Sequence, residues 1–372
     1  MRGNVGRAGD EVSWGDLQWD RQRIPATSSS GAVYYRFVPT GMPRIPDKIL
    51  DTAFYLYPDS DSAKLGTGFG GTGFVVSVKS EKNPEFVTLY GVTNWHVAVR
   101  EGCSVIRLNN SDGSVDIREH DPSDWLFDPQ YDLAVIPLQP SEGMRVSQVR
   151  AEDLVALDDD IGIGDDVFMV GRFIDHDGVA SNKPAIRFGN ISIDPTPIVQ
   201  PNKQVADCYC VDVHSRSGFS GSPVFVYNQT TGRFYPENEG RPNPRPLFLK
   251  LLGIHWGQFP EEWEIVDGKG RLIADGADGM DSQYIKGLSG MTCVLPAWRI
   301  MELLNHPELL EHRKMVENEI PDFNPNSIPV AESLSPTRSG SALKPNKVED
   351  STESTRDALL GRMLNTPPNP KK

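Results

Sequence analysis

The feature that most limits the possible folds is a series of short apolar runs separated by turn residues, which begins near residue 49. Runs of about four to eight residues between Gly, Pro, Asn or Asp are typical of β-strands. The predicted strands are residues 52–57, 72–78, 86–90, 104–108, 132–138, 167–173, 185–193, 208–213, 223–227 and 247–256. No regular helical pattern alternates with them, which disfavours a parallel sheet with crossover helices. The sequence therefore predicts an all-β fold.

The composition limits the partners. The chain has 372 residues, 38% of them hydrophobic, which is enough for a sizeable core, and its formal net charge is -14. Nucleic acids and anionic membranes attract basic surfaces. We therefore expect neither nucleic acid nor a membrane as a partner.

The ends of the chain and its cysteines indicate a cytoplasmic protein. The N-terminus is polar and acidic where an exported protein carries an apolar segment, and no stretch is apolar for long enough to span a bilayer. The four cysteines, Cys103, Cys208, Cys210 and Cys293, are expected to be free thiols in that compartment.

Residues 217–223, Ser-Gly-Phe-Ser-Gly-Ser-Pro, predict a tight turn before a strand. Gly218 and Gly221 lack a Cβ, so the backbone around Ser220 can direct successive N–H groups into one small space. Ser220 would be a nucleophile there, with the amides of Gly218 and Ser220 as oxyanion donors. Taken alone, the segment fits an ordinary surface turn equally well.

Two upstream segments change that balance. Residues 90–98, Tyr-Gly-Val-Thr-Asn-Trp-His-Val-Ala, place His96 at the end of a strand-like run. Residues 131–138 place Asp132 at the head of an apolar run. An aspartate can accept the Nδ1 proton of a histidine and so orient it to take the proton of a serine.

The three segments, in the order His, Asp, Ser, resemble the trypsin-like (chymotrypsin-fold) serine peptidases over about residues 46–310. The resemblance implies that His96 is the general base, Asp132 its orienting partner and Ser220 the nucleophile. It also implies two packed antiparallel β-barrels with the active site between them, and no cofactor.

Four regions are expected along the chain. Residues 1–45 form a flexible extension, 46–145 the first barrel with His96 and Asp132, and 146–314 the second barrel with Ser220 and a closing helix near residues 295–304. Residues 315–372 have the composition of a disordered tail. A short helix within it, over 352–364, would dock on a partner or fold back on the barrel, or it has no role.

Two further segments are candidates for substrate binding. They contain His214, Ser215 and Arg216, and His255, Trp256 and Gly257. The Gly-Ile-His-Trp-Gly run resembles that of the glutamyl endopeptidases, which implies that His255 binds an acidic side chain before the scissile bond, with His214 or Arg216 adding positive charge. The alternative is that His255 is a hydrogen-bonded strand residue and that Trp256 and Gly257 form an ordinary pocket wall.

No metal site is expected. The acidic runs 158–160 and 165–166 lack calcium-binding spacing, and His176 fits a turn. The function predicted is a serine endopeptidase acting on a protein or peptide, and the resemblance to the glutamyl endopeptidases implies a preference for Glu or Asp before the cleaved bond. The alternative is a non-catalytic protease-like module that binds peptides or partners. An α/β-hydrolase esterase is disfavoured, since its nucleophilic serine would precede the acid and the histidine.

Overall fold

The computed structural model describes residues 24–27, 33–36, 45–174, 178, 180–199, 203–228, 248–264 and 284–322. The strands in chain order are β1 (Ile24–Thr27), β2 (Val33–Arg36), β3 (Ala53–Tyr57), β4 (Gly71–Lys79), β5 (Val87–Asn94), β6 (Val105–Asn109), β7 (Val115–Arg118), β8 (Leu126–Asp128), β9 (Leu133–Leu138), β10 (Val149–Arg150), β11 (Asp166–Gly171), β12 (Ala185–Val199), β13 (Val205–Asp212), β14 (Pro223–Asn228), β15 (Phe248–Glu264) and β16 (Tyr284–Pro296). The α-helices are α1 (Asp47–Leu50), α2 (Ser60–Leu65), α3 (Ala297–Leu304) and α4 (Pro307–Glu319).

The strands form two larger sheets, which confirms the all-β prediction. The first sheet runs in the order β7-β6-β3-β4-β5-β9-β8, and β10 pairs with β4. The second is a closed barrel in the order β11-β12-β13-β16-β15-β14, which closes by pairing of β14 with β11. The first sheet was also expected to be a barrel, but its described strands do not pair from β7 round to β8. Both edge strands, β7 and β8, are short. The contact at this edge is made by a side chain, since Arg118 on β7 donates to the Gln139 carbonyl just beyond β9.

One apolar core joins the two sheets. Phe74, Val92 and Val135 of the first sheet belong to the same buried cluster as Phe168 and Phe225 of the second. The rings of Phe168 and Phe225 stack with their centroids 5.2 Å apart. Because the sheets share this core, the C-terminal end of β5 and the turn before β14 lie at a common interface.

The connection between the two sheets contains a short strand. Val149 of β10 pairs with Val76 of β4 in parallel, a few residues after the predicted boundary at residues 145–146. A two-residue strand is too short to produce a recognisable sequence pattern. The first described strands, β1 and β2, form a separate antiparallel pair within the predicted N-terminal extension.

The C-terminal end of the described chain is helical for longer than expected. Helix α3 matches the predicted closing helix, but α4 follows it and ends at Glu319, inside the stretch assigned to a tail from residue 315. Glu317 accepts hydrogen bonds from Ser80 Oγ at 2.9 Å and from the Glu81 amide at 2.7 Å. These contacts with the β4–β5 turn stabilise a helix that buries little apolar surface of its own.

Several predictions concern residues outside the described part of the chain. His176 and the possible helix at 352–364 are among them. No described helix is long and apolar enough to cross a bilayer. Within the described ranges, no three His, Cys, Asp or Glu side chains are grouped so as to hold a metal ion. The four cysteines are free and buried.

Candidate active site

His96 lies at the point where β5 ends. The strand stops at Asn94, and a single π-helical turn, His96–Arg100, follows. Such turns are rare and are often found at functional sites. The imidazole keeps 15% of its surface exposed, so it is accessible from one side. The turn therefore presents a histidine at the interface of the two sheets.

Asp132 orients His96 through two hydrogen bonds. One carboxylate oxygen lies 2.6 Å from His96 Nδ1, and the other accepts the His96 backbone N–H at 2.8 Å. The aspartate side chain is 3% exposed. With Nδ1–H donated to the carboxylate, the lone pair of the neutral ring lies on Nε2, where a general base needs it.

The backbone of Asp132 is held by the same strand end. Its φ of 51° lies in the left-handed region, which Asp and Asn adopt more readily than most residues. The Asp132 carbonyl accepts from the Trp95 amide at 3.0 Å and from Asn94 Nδ2 at 3.1 Å. The residues just before His96 thus fix the backbone that carries its partner.

The turn around Ser220 leaves two amide groups available. Phe219 N donates to the Arg216 carbonyl, Gly221 N to the His255 carbonyl, and Ser222 N to the Phe219 carbonyl. Within the described chain, the amides of Gly218 and Ser220 have no hydrogen-bond acceptor.

The two glycines of the turn have no room for side chains. Gly218 and Gly221 have φ values of 95° and 84°, in the left-handed region. A Cβ at residue 218 would lie 2.6 Å from the Arg172 carbonyl oxygen, and one at residue 221 would collide with the Thr72 carbonyl. Glycine at both positions is therefore required by conformation and by space.

The serine turn contacts the strand pair that leads to His96. The Ser220 carbonyl accepts from the Thr72 amide on β4 at 2.9 Å. A Cβ at the adjacent Gly71 would touch both Val97, next to His96, and the Ser220 carbonyl. Among the described residues, however, no hydrogen bond joins the Ser220 hydroxyl to His96. In unliganded enzymes this bond is often long and tightens only with substrate.

The predicted substrate-binding segments meet at one buried histidine. His255 is 2% exposed and Ser215 is 5% exposed. Ser215 Oγ lies 2.8 Å from His255 Nε2, and Thr292 Oγ1 lies 2.7 Å from its Nδ1. Thr292 Oγ1 also donates to the Gly257 carbonyl at 2.6 Å. Because a hydroxyl has one proton, Thr292 accepts from Nδ1–H, and Nε2 then accepts from Ser215.

The His255 ring is neutral in this environment. The pKa of His255 is lowered to about 3, mainly by burial and less by the nearby His96, while a hydrogen bond to the Cys293 backbone acts in the opposite direction. A buried imidazole loses solvation when it is charged. With this pKa, His255 carries no positive charge near pH 7.

The other three predicted pocket residues are exposed or half-buried. His214 is exposed, and its ring lies close to Gly290. Arg216 is also exposed, with its guanidinium 6.0 Å from the Phe173 ring centroid. Trp256 is half-buried against the main core. The structure thus brings together Ser215, His255 and Gly257, and leaves His214 and Arg216 at the surface.

Sequence reasoning missed three residues that contact the site. Asn94 lies beside His96 in the recognised segment 90–98, and Thr72 lies in a predicted strand, but neither was assigned a role. Thr292 lies on β16, in a segment where no motif was recognised. Its role depends on the cross-strand pairing of β15 with β16, which a linear pattern does not reveal.

Comparison with known families supports the peptidase resemblance over part of the chain. Residues 71–234 match the model of the trypsin-like peptidase domain. The matched range contains His96, Asp132 and Ser220 and ends before His255. It does not support the resemblance to the glutamyl endopeptidases. No curated protein matches the chain.

Solved structures resemble the chain at low identity. The protease domain of MamO from Magnetospirillum magneticum, in its apo form, is 15% identical with a TM-score of 0.42, covering 70% of this chain and 98% of that domain. The Rv3671c protease from M. tuberculosis, in its active form, is 17% identical with a TM-score of 0.35, covering 73% and 93% respectively.

Proposed function

We propose that the chain is a serine endopeptidase that hydrolyses peptide bonds of a protein or peptide substrate through an acyl-enzyme. The observation that carries this proposal is the doubly hydrogen-bonded pair of His96 and Asp132, which directs the Nε2 lone pair away from the carboxylate. The match to the trypsin-like peptidase domain supports the same reaction class.

In the first half-reaction, Ser220 Oγ bonds to the substrate carbonyl carbon while its proton passes to His96 Nε2. The electron pair of the carbonyl moves to its oxygen, and the free amides of Gly218 and Ser220 donate to that oxyanion. The tetrahedral intermediate then releases the amine, which takes the proton from His96. Water repeats the sequence on the acyl-enzyme and restores Ser220.

The test is covalent capture of Ser220 in the full-length chain. A fluorophosphonate should add to Ser220 because the reagent needs both an activated serine and an oxyanion site. The Ser220→Ala variant should take up no reagent. A wild-type chain that resists the reagent would contradict the proposal.

One observation favours a second candidate, the non-catalytic protease-like module. The Ser220 hydroxyl is not hydrogen-bonded to His96 among the described residues. A module of this kind would bind peptides in the cleft without forming a covalent intermediate. Peptide binding without labelling of Ser220 would favour it over the endopeptidase.

We extend the proposal to substrates with Glu or Asp before the scissile bond. The support is the buried pair of Ser215 and His255, since the Ser215 hydroxyl, five residues ahead of the nucleophile, lies 2.8 Å from His255 Nε2 on β15. The neutral state of His255 opposes simple charge attraction. Binding of a substrate carboxylate must therefore be accompanied by protonation of the His255 ring, or the carboxylate must be bound by hydrogen bonds alone.

This extension predicts a pH-dependent preference. We expect the ratio of kcat/KM for a Glu peptide to that for the matched Gln peptide to exceed one and to rise as pH falls from 8 to 5. The pKa of His255 is lowered to about 3, so a bound carboxylate that raises this pKa above the pH makes the His255 ring take up a proton from solvent. Each unit of pH then changes the ratio by up to about tenfold.

The ratio isolates the pocket, because titration of the general base affects both peptides alike. Among the described residues, the titratable side chain that acts on His255 through its charge is that of His96. His255→Gln provides the control and should abolish the pH dependence of the ratio. A ratio below one at every pH would contradict the acidic preference, and a ratio above one that is independent of pH would contradict proton uptake.

A further inference from the structure

A buried threonine of the first sheet contacts the turn that carries Ser220. Thr72, on β4, is fully buried. Its hydroxyl donates to the Gly218 carbonyl at 2.7 Å, and its backbone amide donates to the Ser220 carbonyl at 2.9 Å. One residue of the first sheet is therefore bonded to both residues whose amides are the oxyanion donors.

The direction of the Thr72 hydroxyl proton is determined by a third contact. The Arg172 amide, just beyond β11, donates to Thr72 Oγ1 at 2.8 Å. With one lone pair occupied by this donor, the hydroxyl directs its own proton to the Gly218 carbonyl. Thr72 thereby connects the end of β11 to the serine turn.

The two carbonyl contacts restrict the peptide units of the turn. The Gly218 carbonyl belongs to the unit before Phe219, and the Ser220 carbonyl belongs to the unit before Gly221. These two units flank the one that carries the Ser220 N–H. Gly218 has no Cβ to limit rotation. The Phe219 N–H of its peptide unit donates to the Arg216 carbonyl at 3.2 Å, and the shorter bond from Thr72 holds the carbonyl end of the same unit.

We propose that Thr72 is a positioning residue whose hydroxyl orients the Gly218 and Ser220 amides towards the oxyanion. It does not touch the reacting atoms and acts through the serine turn. This inference rests on the proposed function, and it adds a residue of the first sheet to the machinery that orients a turn of the second barrel.

The experiment compares hydroxyl-free and hydroxyl-retaining variants of the full-length chain in peptide hydrolysis. Thr72→Val keeps the shape and loses the hydroxyl. We expect kcat to fall by about 10- to 100-fold with KM changed by less than about twofold, below the roughly 10²–10³-fold cost of losing an oxyanion donor outright. Thr72→Ser should keep kcat within about threefold of the wild type. Thr72→Ala serves as the second hydroxyl-free variant if Thr72→Val does not fold.

The matched control is Thr52→Val. Thr52 is equally buried, and its hydroxyl donates to the Ile49 carbonyl at 2.7 Å, away from the serine turn. It should lose stability in the same way and keep kcat. An unchanged kcat in folded Thr72→Val, or an equal loss in Thr72→Ser, would overturn the inference.

A second measurement separates this inference from the proposed function. Amide hydrogen exchange of the bonded amides of the turn, those of Phe219, Gly221 and Ser222, should be at least about tenfold faster in Thr72→Val than in Thr52→Val. This readout needs no activity. An inactive wild type would reject the proposed function, whereas equal exchange rates in the two variants would reject the role of Thr72.

Discussion

Asp132 has a backbone conformation that few residues other than glycine adopt, at a cost of about 1–3 kcal/mol. That cost is offset by four hydrogen bonds, two to its carbonyl and two to its carboxylate. The carboxylate bonds both go to His96. The strained residue and the residue it orients are therefore one structural unit.

The Asp132→Asn variant separates the geometry of this unit from its chemistry. Asparagine tolerates the left-handed backbone, but its NH₂ group can donate to His96 Nδ1 and so move the ring proton to Nε2. We expect kcat for peptide hydrolysis to fall by about 10⁴-fold, the effect known for this change in the chymotrypsin triad. The circular dichroism spectrum should not change.

Asp128→Asn is the control, since this nearby aspartate only accepts from the Gln130 amide. It should hydrolyse peptides at the rate of the wild type. If Asp132→Asn matched it, Asp132 would have no part in catalysis.

At this scale, sequence reasoning identified residues that act through local chemistry. His96, Asp132 and Ser220 each stand in a recognisable segment, and their order along the chain carried the resemblance. Thr72 and Thr292 could not be found in this way, because a single threonine, between glycines or within a strand, has no distinguishing pattern. Their roles come from partners far away in the sequence, namely Gly218 and His255.

Helix α4 is the element whose position depends most on polar contacts. Leu309 is the one side chain of the helix that is fully buried. The helix is attached to the β4–β5 turn by Glu317, and Lys82 Nζ donates to the Ile320 carbonyl at 2.6 Å. Helix propensity and the apolar pattern of the sequence therefore do not predict where this helix ends.

The Glu317→Ala variant tests this attachment. Removing the acceptor leaves Ser80 Oγ and the Glu81 amide without their partner, so the free energy of unfolding should fall by about 1–3 kcal/mol. Urea denaturation of the full-length chain measures it. Glu319→Ala, at an exposed position of the same helix, should change stability by less than about 0.5 kcal/mol. Equal effects in the two variants would show that the contacts of Glu317 contribute nothing.

The elements themselves followed from local pattern to a large extent. The predicted strands correspond to strands of the two sheets, and the closing helix corresponds to α3. Strand pairing was less accessible, because the two-residue β10 and the open first sheet depend on contacts across long sequence distances. The length of α4 was missed because its last turns are polar.

For the whole molecule, the position of one sheet on the other is set by contacts that cross between them. Asn109 on β6 and Asn182, in the connection from β11 to β12, exchange two hydrogen bonds of 3.0 and 2.8 Å. The buried Arg172 guanidinium, just beyond β11, donates to the carbonyls of Leu56 and Gly68 in the first half of the chain. These bonds, with the shared core, keep the serine turn beside His96.

The scattered placement of the three candidate catalytic residues follows from this architecture. His96 and Asp132 come from the first sheet, and Ser220 comes from a turn of the second barrel. The prediction that these three side chains share one site came from the resemblance to a family, not from local sequence patterns. The contacts that bring them to one interface involve asparagine, arginine and threonine residues with no local signature.

Fluorophosphonate addition to the full-length chain, followed over time by intact-mass spectrometry, tests most directly whether His96 activates Ser220. We expect one adduct per chain, located on Ser220, absent in Ser220→Ala and slowed at least about 10²-fold in His96→Ala, since general-base catalysis typically contributes 10²–10⁴-fold. No adduct on the wild type, or an adduct whose rate does not depend on His96, would show that Ser220 and His96 do not act as nucleophile and base.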